Sequence, residues 1–147
     1  MKTIWIVSIV ILLLSGCQPK QDVSANTLAI ENAVHSFFIA ISKYDYQGLR
    51  DQCTPDFILI EQGQWWNTDS LTNVMKGLEG KATISYSMDN ITSKVEGSVG
   101  WVVYKNHGTM TMGNKQTRLD WTESAILRND GGAWKMLLLH SSRTSPL

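Results

Sequence analysis

Residues 99–142 read VGWVVYKNHGTMTMGNKQTRLDWTESAILRNDGGAWKMLLLHSS, and this stretch decides the fold. Its β-branched and aromatic residues are interrupted by Gly113-Asn114 and Asp130-Gly131, and Gly97-Ser98 stands just before it. Each pair suits a two-residue hairpin loop, because glycine and asparagine tolerate the positive φ that such loops need. Everything after Lys81 therefore reads as an antiparallel meander.

A two-residue loop pairs its flanking residues, and residues opposite one another in antiparallel strands share a face. The middle loop pairs Met112 with Lys115 and brings Gly100, Val102, Tyr104 and Asn106 to one face, with Tyr104 opposite Glu123. The last loop, read as Asp130-Gly131, sets Leu127, Ala125, Glu123 and Trp121 opposite Trp134, Met136, Leu138 and His140. The first adds Ile91 opposite Tyr104 and Asp89 opposite Asn106. The other face carries Trp101, Val103, Ile126, Leu137 and Leu139 among charged and hydroxyl residues. A sheet apolar on both faces packs helices on one and a partner on the other, which implies a homodimer.

Upstream the periodicity is helical. Leu28, Ile30, Val34, Phe37, Phe38 and Ile41 recur at helix spacing from Thr27 to Lys43, with Asn26 or Ser24 as cap. Asp45 caps a short helix through Leu49 to Cys53, ended by Pro55, and Phe57 to Glu61 follows as a strand. A third helix fits Asp69 to Leu78, with Asn67 or Thr68 as its cap and Gly80 beyond its end. Helices first and a meander afterwards make the class α+β.

The chain's beginning carries an address. Lys2 precedes an apolar run from Ile4 to Leu14, too short for the roughly 20 residues of a spanning helix, and Leu14-Ser15-Gly16-Cys17 follows. That string resembles the lipobox of bacterial lipoproteins. The resemblance implies a signal over residues 1–16 and a lipid on Cys17, which anchors the chain to a membrane of the cell envelope. Gln18 after the cysteine resembles the pattern of lipoproteins sent to the outer membrane, facing the periplasm, in Gram-negative cells. Residues 17–26 then form the lipidated end and a tether, and residues 27–147 one domain.

The 147 residues carry 13 basic and 13 acidic side chains, a balance without the footprint of a nucleic-acid binder. With Cys17 committed to lipid, Cys53 is left unpaired, and it reads as a buried, inert thiol. No metal-ligand spacing, phosphate-cradling glycine loop or serine nucleophile elbow is present, so neither metal nor cofactor is implied.

The order helix, short helix, strand, short helix and long meander is similar to the nuclear transport factor 2-like superfamily. The residues that carry the likeness are Asp45 to Leu49, Phe57 to Gly63, Trp121-Thr122-Glu123-Ser124, and the ending Trp134-Lys135-Met136-Leu137-Leu138-Leu139-His140-Ser141-Ser142. Within it, the chain resembles SnoaL-like domains and the association domain of calcium/calmodulin-dependent kinases. The resemblance implies a curved antiparallel sheet wrapped around a long N-terminal helix plus two short helices, a cystatin-like cone with a pocket inside, and frequent sheet-to-sheet dimers. Superfamily members include isomerases, cyclases, dehydratases and transport adaptors, so the fold alone sets no reaction.

Inside the cone, Glu123 and His140 lie diagonally across the last hairpin and form the first-choice polar pair. A carboxylate beside an imidazole makes a proton shuttle near neutral pH, and Tyr104 opposite Glu123 can donate to a carbonyl. Alternatively these groups only satisfy one another in the cone floor. Glu61 falls where the resemblance to ketosteroid isomerase implies a proton-abstracting carboxylate, although Tyr104 is not on that enzyme's tyrosine helix. An exposed strand-end carboxylate is the other reading. The pocket expected is Tyr104, Asn106, Trp121, Glu123 and His140, with Trp65 and Trp66 at its mouth. His107 is expected opposite Asp120 on the outer face, and His35 near the pocket or a core edge. Three functions remain open: a module binding a small, largely apolar molecule, a proton-transfer enzyme using Glu61 or Glu123 with His140, and an assembly module with a solid core.

Overall fold

A computed structural model describes residues 23–144; the expected signal, the expected lipidation at Cys17 and most of the expected tether lie outside them. Helix α1 (Val23–Ser42) begins four residues before the Thr27 expected, so Asn26 lies inside it rather than capping it. Helix α2 (Tyr46–Asp51) starts at Asp45, whose Oδ1 accepts from the Gly48 amide at 2.8 Å. Strand β1 (Cys53–Glu61) starts earlier than the sequence suggested, and Pro55 lies within it where its register is irregular. A short β2 (Gln64–Trp66) turns back across Gln62 and Gly63, both at positive φ. Helix α3 (Thr68–Leu78) is capped by Asn67, whose Oδ1 accepts from the Ser70 amide at 2.9 Å.

The meander supplies β3 (Ala82–Glu96), β4 (Val99–Met112), β5 (Lys115–Asp130) and β6 (Ala133–Arg143). The six strands form one sheet in the order β2-β1-β6-β5-β4-β3. It is antiparallel except where β1 runs parallel to β6, a pairing the meander alone did not reveal. The helices cover one face, and the core between them and the sheet includes Ile30, Phe37, Leu49, Val102, Leu127 and Met136. The α+β class and the sheet wrapped around a long first helix are as the sequence indicated.

Register separates the strands. Met112 pairs with Lys115 and Tyr104 with Glu123, as the loop chemistry predicted, and the β4–β5 ladder runs without interruption. The last hairpin differs twice. Its loop is Gly131-Gly132, both at positive φ, so Asp130 pairs with Ala133. A bulge then leaves Leu137 between the Leu127–Met136 and Ile126–Leu138 pairs. One extra residue sends every later side chain to the opposite face. Leu139 and Ser141 thus point inward, while Leu138 and His140 point outward. A second irregularity, where Asn90 sits at positive φ, does the same in β3, so Asp89 faces Lys105 rather than Asn106.

Candidate functional site

The covered face of the sheet is hollow at one end. A cavity of about 120 Å³ lies between the helices and the sheet. Phe37, Phe38 and Ile41 of α1 wall it on one side, and Leu71, Val74, Met75 and Leu78 of α3 on another. The amphipathic spacing of α3 turns these apolar residues toward the sheet. From the sheet come Leu59 and Glu61 of β1, Ile84 and Tyr86 of β3, and Leu139 of β6, with Asn106, Trp121 and Glu123 at its polar end.

That polar end is a row across four strands. Glu61 pairs with Ser141, Ser141 with Glu123, and Glu123 with Tyr104. Adjacent strands are about 4.8 Å apart, which sets the Glu61 and Glu123 backbones roughly 10 Å from one another. The Glu123 carboxyl is 4% exposed, with Ser141 Oγ donating to Oε1 at 2.8 Å and Asn106 Nδ2 donating to Oε2 at 3.0 Å. Burial pushes the Glu123 carboxyl up to about 7, against the pull of the hydrogen bonds from Ser141 and Asn106 and of the nearby Tyr104 hydroxyl, and the charge of Glu61 adds to the rise. Tyr104 is 1% exposed, and its hydroxyl makes no hydrogen bond of good geometry despite lying near that carboxyl. Asn106 Oδ1 is likewise buried without a partner. Burial also raises the Tyr86 hydroxyl, whose ring packs 4.9 Å from Phe38 and 6.2 Å from Trp121.

The structure gathers Glu61, Asn106, Trp121 and Glu123 around one space, with Tyr104 just beneath it. It does not bring His140, which is exposed on the outer face beside Ser124. The pair of Glu123 and His140 is therefore broken by the bulge at Leu137, and Ser141 takes the position opposite Glu123. Trp65 is 72% exposed and does not line the cavity, whereas Trp66 packs against the core. Sequence reasoning missed Ser141, the β3 residues Ile84 and Tyr86, and the α3 wall. An apolar stripe on α3 was legible, but nothing in it said what it covers.

Elsewhere, His107 Nδ1 lies 2.6 Å from Asp120 on the outer face, with Asp89 at 3.3 Å from Nε2. His35 is half-buried outside the cavity lining. Burial raises the Cys53 thiol to about 12, which leaves it protonated and unreactive. Among the described residues no group of three or more His, Cys, Asp or Glu side chains could hold a metal ion.

Residues 30–146 match the SnoaL-like domain, and the chain belongs to that family. No curated protein matches it in sequence. Among solved structures it is similar to a ketosteroid isomerase-like protein from Erwinia carotovora atroseptica, at 20% identity and a TM-score of 0.66, over 82% of this chain and 98% of that one. It is also similar to the association domain of a calcium/calmodulin-dependent kinase from C. elegans, at 17% identity and a TM-score of 0.68, over 81% and 96% of the two chains. A hexachlorocyclohexane dehydrochlorinase shares 13% identity and a TM-score of 0.71, over 84% and 90%. At these identities the likeness establishes the fold, an open curved sheet about a helix, and leaves the chemistry to this chain's own residues.

Proposed function

We propose that this protein is a lipid-anchored envelope protein whose SnoaL-like domain binds a small, largely apolar molecule in its cavity. The observation that carries the reading is an apolar hollow of about 120 Å³ ending on one buried carboxyl, Glu123. A dry cavity of about 150 Å³ suffices for a benzene-sized ring, so the enclosed part, somewhat smaller, holds a short branched chain or most of such a ring with the remainder extending outward. Val74, 43% exposed at the wall, marks a side through which a larger ligand can extend. Retention at the membrane rests on the Leu14-Ser15-Gly16-Cys17 string, with Cys17 as the lipidated residue and the outer membrane as destination. A thermal-shift screen of small ring compounds tests the binding: melting temperature should rise with ligand concentration. Val74→Trp, which narrows the cavity from an exposed position, should remove the shift. A shift that survives Val74→Trp would place binding elsewhere.

One observation favours a second reading, proton transfer. A carboxyl held near 7 inside an apolar site is matched to general acid–base work at neutral pH. Glu123, rather than a pair with His140, is then the proton-carrying group, with Glu61 as the second carboxyl. A pH–rate profile that keeps its limb near 7 in Glu123→Gln would remove it.

The outer face supports a homodimer. Trp101, Val103 and Ile126 are each more than a third exposed there, beside Leu138. Sedimentation should show a dimer that Ile126→Arg converts to a folded monomer, and a wild-type monomer at high concentration would rule the dimer out.

A further inference from the structure

The cavity's polar end carries an unbalanced set of groups. Two carboxylates, Glu61 and Glu123, line it, and among the described residues no lysine, arginine or histidine does. Five aromatic rings also line it, among them Phe38, Tyr86 and Trp121. Arg143, paired opposite Trp121 on the inner face, does not line the cavity, and its Nε is buried without a partner. Asn106, fully buried at the cavity wall, spends its Nδ2 on Glu123 and leaves Oδ1 without a donor. A buried acceptor without a partner is costly, and it marks a place where a ligand donor is missing.

An anionic ligand would meet two like charges here. A neutral apolar ligand would leave Asn106 Oδ1 unpaired. A protonated amine fits this lining best: its N–H bonds pair with the Glu123 carboxylate and are aimed at the buried Asn106 Oδ1, Glu61 adds attraction, and the aromatic faces favour a cation beside them. We infer that the cavity's ligand is a small lipophilic amine, bound as its ammonium between Glu123 and Asn106 Oδ1 with its apolar body against the α1 and α3 side chains. This rests on the binding reading above and adds the ligand's charge to it.

The groups facing Glu123 give the pH response. They are Glu61 from β1, Tyr86 from β3, Tyr104 from β4 and, beyond Trp121, Arg143 from β6; the walls from α1 and α3 are apolar, and Tyr44 completes the titratable lining. Protonating Glu123 removes the amine's counter-charge, so affinity should fall as pH drops through about 7. A neutral ligand that accepts a proton from Glu123 would show the reverse.

The test is calorimetric titration of the full-length protein with benzylamine and with its neutral counterpart benzyl alcohol. Benzylamine should bind about tenfold more tightly, and its affinity should weaken about tenfold between about pH 8 and about pH 6. Glu123→Gln should remove most of the preference, and Glu61→Gln, at a partly exposed position that tolerates change, should reduce it about two- to threefold. Benzyl alcohol binding as tightly as benzylamine at about pH 8, or benzylamine affinity that does not fall with pH, overturns the charge assignment and leaves the binding reading standing. Binding of neither probe, with folding intact by circular dichroism, removes the binding reading and this inference together.

Discussion

The two ends of the helix-covered face are built from the same strands and differ in what they hold. At one end Ile30, Val102, Leu127 and Met136 are at most 1% exposed and fill the space between α1 and the sheet. A Cβ placed on Gly100 there would come within 3.0 Å of Ile30, so the helix sits directly on the strand. At the other end α1 and α3 stand off the sheet, and Asn106, Trp121 and Glu123 border a hollow instead. The filled end is closely packed, and the hollow end trades packing for polar groups, of which Tyr104 Oη and Asn106 Oδ1 are left without partners.

The largest effect should come from the filled end. Leu127→Ala should cost about 2–5 kcal/mol, read by chemical denaturation, because the site is too tightly enclosed to collapse. A cost below about 1 kcal/mol would break the contrast. At the hollow end the sign reverses. Glu123 is raised from its ordinary 4.5 to about 7 in the folded chain, so between those values the folded state holds the extra proton. Stability from this group is then highest below about 4.5 and falls as pH rises to about 7, by roughly 3 kcal/mol. Glu123→Gln should therefore stabilise the protein near pH 8 and flatten that slope, as followed by denaturation at several pH values. An unchanged slope would mean that Glu123 is not a strained buried carboxyl.

A smaller effect isolates the cavity wall. A Cβ on Gly108 would meet the Trp121 ring at 2.8 Å, so Gly108→Ala should push the indole toward the hollow at a cost of about 1–3 kcal/mol and weaken ligand binding more than it weakens the fold. Comparing denaturation with ligand-induced thermal shifts measures both. The smallest effect should come from the outer face: Arg118→Ala, which removes a pairing with Asp120 from a side chain 71% exposed, should change stability by less than about 1 kcal/mol.

The same contrast explains what the sequence revealed. Tyr104, Asn106 and Glu123 were placed correctly relative to one another because the Gly113-Asn114 loop fixes a ladder with no interruption. His140 was misplaced because the register depended on choosing Gly131-Gly132 over Asp130-Gly131 and on a bulge at Leu137. Neither leaves a mark in local composition: both loops are rich in turn residues, and Leu137 is one of three consecutive leucines. Asp89 was misdirected for the same reason by the irregularity at Asn90. The parallel β1–β6 pairing was hidden because it joins strands far apart in the chain, and with it the position of Ser141 between two carboxylates. Helix caps at Asp45 and Asn67 were legible because they depend on neighbours three residues away.

Occupation of the hollow end at Glu123 is tested most directly by a crystal structure of the protein purified gently from its native host. Continuous density in the cavity, with a polar atom within about 3 Å of Glu123 and Asn106 Oδ1, is the predicted result. A cavity closed by inward movement of Trp121 and Leu139, with Tyr104 and Asn106 satisfied by protein groups alone, would contradict it.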